Sequence, residues 1–155
     1  MRILSLLLLF AFIIGCGERS EVAAHSHPQR AEIKKAVVEM LAQSTDPFLI
    51  VEDPITQNFI QFYNENRRIL IDLPEVALTS AETKIAQDYF RKWDIRMKEN
   101  EDRDPKTGNT FINRSWTETY PPEQIDKVVN LALGALFEIY GISDSTHLTL
   151  TKGWK

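Results

Sequence analysis

Apolar positions change their period several times along the chain, and each change marks an element. From Ile3 to Ile14 the run ILSLLLLFAFII is apolar except at Ser5. Gly17 to His27, GERSEVAAHSH, has little apolar content and no period, so it reads as a short tether. A helix is expected to open at Pro28, where a missing N–H costs nothing. Ile33, Val37, Met40 and Leu41 then fall at i, i+4, i+7 and i+8 and make one stripe. This helix should stop near Ser44, because Pro47 disfavours helix in the residue before it.

Three strands follow. PFLIVED (Pro47 to Asp53) is apolar and β-rich, and Asp53-Pro54-Ile55-Thr56 has turn composition with proline at position i+1. FIQFY (Phe59 to Tyr63) is short and aromatic, and Asn64-Glu65-Asn66 makes a second turn. RILIDL (Arg68 to Leu73) sets Ile69, Ile71 and Leu73 on one face. Such short connections make neighbours antiparallel, a β-meander. Thr79 and Glu82 form a T-x-x-E capping box before a second helix, whose buried face is expected at Ile85, Tyr89, Phe90 and Trp93.

Asp94 to Lys106, DIRMKENEDRDPK, carries nine charges in thirteen residues with no stripe, and reads as a solvated loop. Thr110 to Thr117 has the composition of a fourth strand. Pro121-Pro122-Glu123 opens a last helix, with Ile125, Val128, Val129, Ala132, Leu136, Phe137 and Tyr140 at helical spacing and Gly141 at the C-cap. Leu131, Leu133 and Ile139 extend its apolar surface beyond one stripe. Such a helix either packs centrally on the sheet or offers a second face to a partner. HLTLT (His147 to Thr151) alternates like a final strand. No internal repeat stands out. The order α-β-β-β-α-β-α-β predicts an α+β two-layer sandwich, an antiparallel β-meander covered by helices. The expected organisation is a signal peptide over 1–15, a tether over 16–27 and a single domain over 28–155.

The opening residues have a chemistry of their own. Arg2 precedes an apolar run of twelve residues, which suits a signal-peptide core and falls short of the roughly 20 that span a bilayer. Ile13-Ile14-Gly15-Cys16 then resembles the lipobox of bacterial lipoproteins. The resemblance implies cleavage before Cys16 and acylation of its thiol, and two or three acyl chains make a stable anchor where one does not. Gly17, rather than aspartate, after the cysteine implies the outer membrane, facing the periplasm, in a Gram-negative cell. In a Gram-positive cell it implies the outer face of the single membrane. The expected location is thus the cell envelope.

Composition narrows the classes. At 155 residues, 43% hydrophobic and 26% charged, the chain has the balance of one folded domain. A net charge of −4 argues against nucleic acid as partner. Loss of Met1 to Gly15 removes one arginine and no acid, which makes the mature chain more acidic still. The single cysteine excludes an internal disulfide framework.

The apolar pattern "DPFLIVEDPITQNFIQFY", then "RILIDLP", a capped helix, and the closing "LALGALFEIYGISDSTHLTLT" resemble the YbjN-like, type III secretion chaperone-like (TY-Chap) domain family over roughly Ala31 to Thr151. The resemblance implies a chaperone-like fold, a binding or regulatory role, no catalytic residues and no cofactor. Secretion chaperones of similar fold act as dimers, so the resemblance also allows a homodimer.

Motifs for covalent, phosphate-binding, dinucleotide-binding or zinc-peptidase chemistry are absent from the sequence. What remains is sparse. His25 and His27 could donate to a metal, but no third ligand stands near them in sequence, and they read as polar tether residues. His147 could serve as a general base, and reads more simply as an edge-strand residue. Glu52 and Asp53 are adjacent, so on a strand they point to opposite faces, and Asp53 before proline reads as a turn former. Asp102 and Asp104 lack EF-hand spacing. Among aromatic residues, Trp116, Phe62, Tyr63 and Trp154 are candidate contacts for an unidentified protein or peptide, with Trp116 the expected exposed anchor. The reading favoured by these residues is a membrane-anchored, non-enzymatic binding lipoprotein. The alternatives are an immunity-type toxin-neutralising lipoprotein and, less favoured, a small periplasmic hydrolase.

The lipobox-like run gives the first test. Cys16→Ser should abolish incorporation of a palmitate analogue and leave an uncleaved precursor; equal labelling of variant and wild type would remove the anchor.

Overall fold

The computed structural model describes residues 26–104 and 106–154; Cys16 and His25 lie outside them. The elements are α1 (Arg30–Leu41), β1 (Phe48–Glu52), β2 (Phe59–Glu65), β3 (Arg68–Pro74), α2 (Ser80–Lys92), β4 (Met97–Arg103), β5 (Thr110–Tyr120), α3 (Ile125–Glu138) and β6 (Thr149–Lys152). Short 3-10 turns at Glu75–Ala77 and Pro122–Gln124 precede α2 and α3.

The six strands form one antiparallel sheet in the order β4-β5-β3-β2-β1-β6. All three helices lie on one of its faces. α3 rests on β2 and β3, with α1 on one flank and α2 on the other. The expected α+β sandwich is present, with the meander β1-β2-β3 at its centre.

Strand alternation explains the core. Leu49, Val51, Ile60, Phe62, Ile69, Ile71, Leu73 and Trp116 point toward the helices and are buried. Above them α3 buries nine of its fourteen residues, from Ile125 to Leu136. Its apolar residues outside a single stripe face α1 and α2. Of the two expectations for this helix, central packing is the one realised, and no second face is left for a partner. At its end Gly141 takes φ +67°, donating to the Phe137 carbonyl, as the C-cap pattern predicts.

Local signals at α2 also hold. The Thr79 N–H donates to Glu82 Oε2 at 2.7 Å and the Glu82 N–H donates to Thr79 Oγ1 at 3.3 Å, a complete capping box. The buried face comprises Ala86, Tyr89 and Phe90, while Ile85 is exposed. One step along a helix is about 100° of rotation, and packing against α3 selects the side carrying Ala86 over that carrying Ile85.

Two segments depart from the sequence reading. Asp94 to Lys106 contains strand β4, not a loop throughout. β4 is an edge strand, so its side chains are solvated and carry no apolar alternation; pairing with β5 and the Arg114–Glu99 ion pair at 2.7 Å hold it in register.

The tether also ends earlier than expected. His27 and Gln29 are buried, and α1 starts at Arg30. The Gln29 N–H donates to His27 Nδ1 at 3.2 Å, which leaves Nε2 as the protonated nitrogen that donates to the Thr146 carbonyl at 3.1 Å. The Gln29 amide pairs with both backbone groups of Leu148, at 2.6 and 3.0 Å, as a neighbouring strand would. The His27 ring lies 5.6 Å from that of Phe137. The chain thus enters the domain clamped to the segment before β6.

The central position of α3 sets the second test. Leu136→Ala should cost about 2–5 kcal/mol through lost transfer energy and a residual cavity. An unchanged denaturant midpoint would contradict the packing described.

Candidate functional site

Alternation leaves the other face of the sheet to Phe48, Ile50 and Glu52 of β1, Phe59, Gln61 and Tyr63 of β2, Leu70 and Asp72 of β3, and Thr117 and Thr119 of β5. Among the described residues no helix covers this face, and these side chains are half-buried by one another. The register sets two rows across it. Phe48, Tyr63, Leu70 and Thr119 form one; Thr151, Ile50, Gln61, Asp72 and Thr117 form the other.

The first row is apolar and aromatic. The Phe48 and Tyr63 rings lie 6.4 Å apart at 50°. Phe48 also lies over Gly153, where a Cβ would collide with the ring, so this glycine fits the close approach of the edge. In the second row Gln61 Nε2 donates to Asp72 Oδ2 at 2.6 Å. Burial, and secondarily the Asp72 charge, push the Tyr63 hydroxyl above its ordinary pKa. Tyr63 therefore stays a hydrogen-bond donor across neutral pH, with an apolar ring and a polar tip on one surface.

The aromatic candidates separate on this geometry. Trp116 is 2% exposed and stacked on Phe90 at 5.6 Å and 11°. It points inward beside Leu73, so the expectation of an exposed anchor is corrected: charged sequence neighbours on β4 and β5 belong to solvated strand positions, while alternation turns the indole into the core. Phe62 is likewise buried on the helix side. Trp154 is half-buried, with Lys152 Nζ 5.6 Å from its ring centroid. Tyr63 alone of the four lies on the open face. Phe48, Ile50 and Leu70 were missed as site residues; the period-2 pattern of β1 and β3 marks them once the covered face is known.

The titratable candidates do not converge. Asp72 is bonded to Gln61 on the open face, Glu52 lies two strands away, and His147 is exposed before β6. Clefts of about 610 and 410 Å³ lie elsewhere: one is lined by Gln43, Asp46, Asn64 and Arg67, the other by Gln87, Arg91, Ile95 and Trp116. Neither contains Glu52, Asp53, Asp72 or His147. Among the described residues, no group of three or more His, Cys, Asp or Glu is arranged to hold a metal, and no helix is long and apolar enough to cross a membrane.

Asp53 is the turn former its neighbours suggest, and it has a counterpart. Asp53-Pro-Ile-Thr-Gln-Asn58 and Asp104-Pro-Lys-Thr-Gly-Asn109 share the pattern D-P-x-T-x-N, a short repeat missed in the sequence. In both turns the first carboxylate accepts from a backbone N–H two residues on, at 3.0 Å from Ile55 and 2.8 Å from Lys106. Its other oxygen accepts from the threonine hydroxyl, at 2.7 Å in each. The fifth residue takes positive φ, +60° at Gln57 and +72° at Gly108. One turn closes β1-β2 and the other β4-β5.

No protein-family model matches the chain, and neither a curated protein nor a solved structure matches it.

The twin turns yield a pH dependence. The Ile55 N–H and then the Thr56 hydroxyl hold Asp53 below the usual carboxylate range, and the Thr107 hydroxyl and then the Lys106 N–H do so for Asp104. A lowered folded pKa stabilises above the unfolded value, near pH 3.9, and that contribution fades as pH falls through the folded values. The urea midpoint of wild type should therefore exceed that of Asp53→Asn by a constant margin above about pH 5, and the margin should shrink below about pH 4. A margin constant down to pH 2 would contradict the carboxylate's role.

Proposed function

We propose that this protein is a membrane-anchored, non-enzymatic binding module of the cell envelope, which takes a protein or peptide segment on the helix-free face of its sheet. The observation that carries this reading is the continuous row of Phe48, Tyr63 and Leu70, with Ile50 beside it, on a face where no element among the described residues packs. An apolar surface rimmed by polar groups suits a macromolecular contact. Here the rim is Gln61, Asp72, Thr117, Thr119 and Thr151.

Face binding is better supported than strand addition. β6 is only four residues long, and β4 bears charges at most positions, both of which discourage edge pairing. The resemblance to chaperone-like domains points the same way, since it implies binding without catalysis. The dispersal of Glu52, Asp53, Asp72 and His147 outside the two clefts supports the absence of a hydrolytic centre. Attachment through Cys16 would hold such a module where exported or incoming proteins pass.

Photo-crosslinking tests the face directly. A benzoylphenylalanine at Tyr63 or Leu70, in the anchored protein in its own envelope, should give discrete adducts that the same residue at Lys35 on α1 does not. Adducts no stronger from the sheet face than from Lys35 would refute the proposed surface.

A further inference from the structure

Among the described residues, four of the six large exposed apolar side chains lie beyond one end of the sheet. The register pairs Thr149 with Glu52, Glu52 with Phe59, Pro74 with Ser115 and Ser115 with Lys98; carrying the β2-β3 register two residues past Gln61–Asp72 brings Phe59 level with Pro74 and completes one row. Past this row stand Ile55 in the β1-β2 turn, 86% exposed, and Val76 in the turn after β3, 89% exposed. β4 and β5 continue past it as a two-stranded ribbon. On that ribbon Phe111 and Ile112 are 51% and 57% exposed, and they stand roughly 10–13 Å beyond the row at about 3.3 Å per residue. Alternation puts them on its two sides, so no single packing within the domain would cover both.

The N-terminal segment joins the domain at this same end. His27 and Gln29 are bonded to Thr146 and Leu148, immediately before Thr149. Cys16 precedes His27 by eleven residues, a span of at most roughly 40 Å. A bilayer holding a lipid on Cys16 therefore lies within roughly 40 Å of this end, the end at which the tether enters the domain.

The geometry points to a lipid surface as the occupant of this end, with Ile55, Val76, Phe111 and Ile112 entering the interfacial region. The inference rests on the anchored reading proposed above. The charges here include Glu52, Asp53, Glu75, Glu99, Glu101, Asp102 and Asp104 against Lys98, Arg103, Lys106 and Arg114, so contact would be apolar and would gain nothing from anionic lipid.

The test uses the acylated full chain in phosphatidylcholine vesicles that carry nitroxide-labelled acyl chains. A fluorophore is placed on Ile55→Cys, Val76→Cys or Ile112→Cys, and on Val38→Cys on α1 as an equally apolar, exposed control. Quenching at the three end positions should exceed that at Val38 several-fold, and should not rise when phosphatidylglycerol is added. Vesicle flotation of wild type separates the two levels of the argument. Flotation without extra quenching at the end positions overturns the lipid contact and leaves the anchor intact. Failure to float overturns the anchor and the contact together. End positions shielded from aqueous iodide yet not reached by the lipid quencher would mean that a protein covers them, which also overturns the inference.

Discussion

The architecture depends on burying α3. Its apolar residues occupy more than one stripe, so the sheet alone cannot remove them from water. α1 and α2 must flank it, and both do so on the face where α3 already lies. Tyr89 fixes one flank by donating its hydroxyl to the Leu131 carbonyl at 2.7 Å, and burial pushes that hydroxyl well above the ordinary tyrosine range, so the donor is retained. On the other flank Asp126 accepts from Arg30 at 2.8 Å and from Lys34 at 2.7 Å. These exposed pairs add orientation more than energy, since a solvated ion pair is worth little beside the burial of a core helix. With the three helices of the described residues committed to one face, none of them is left for the other.

The open face follows from that commitment. A sheet in a two-layer sandwich normally alternates apolar inward and polar outward. Here the outward set keeps polar members at Gln61, Asp72, Thr117 and Thr119, yet Phe48, Ile50, Tyr63 and Leu70 interrupt them as a cluster. Solvating those side chains costs free energy that the fold recovers only in part by mutual contact. A protein partner on this surface is one economical reason to retain them, which is why the functional proposal rests on the sheet and not on the helices or clefts.

The sequence revealed the elements whose signal is local or periodic. β1 and β2 followed from β-rich and aromatic composition between turns, β3 from alternation, α2 from its capping box, and α3 from helical spacing ended by Gly141. What was missed depends on contacts distant in sequence. β4 has no apolar face because an edge strand needs none, so only its pairing with β5 identifies it. Trp116 was judged by charged neighbours in sequence, whereas Phe90 and the inward side of β5 decide its burial. His27 looked like tether because its partner, Thr146, lies 119 residues along the chain, as does Leu148 from Gln29. The open-face cluster was equally hidden: each strand showed two faces, but nothing local said which one the helices would take. The resemblance implied the fold class and a binding role without supplying site residues.

The clamp at His27 and Gln29 connects these features. By pairing its side-chain amide with Leu148, Gln29 extends the sheet's hydrogen bonding past β6 and ties the start of α1 to the same end from which the ribbon projects. If that end meets the bilayer, the strands point toward the membrane and the sheet stands on its end. The open face then looks sideways, along the membrane surface, rather than down into lipid or up into solvent. Phe48, Tyr63 and Leu70 would stay free for a partner while Ile55, Val76, Phe111 and Ile112 are taken up by lipid. On that reading the two apolar surfaces make no competing demands: one would hold the domain at the membrane, and the other would hold the partner.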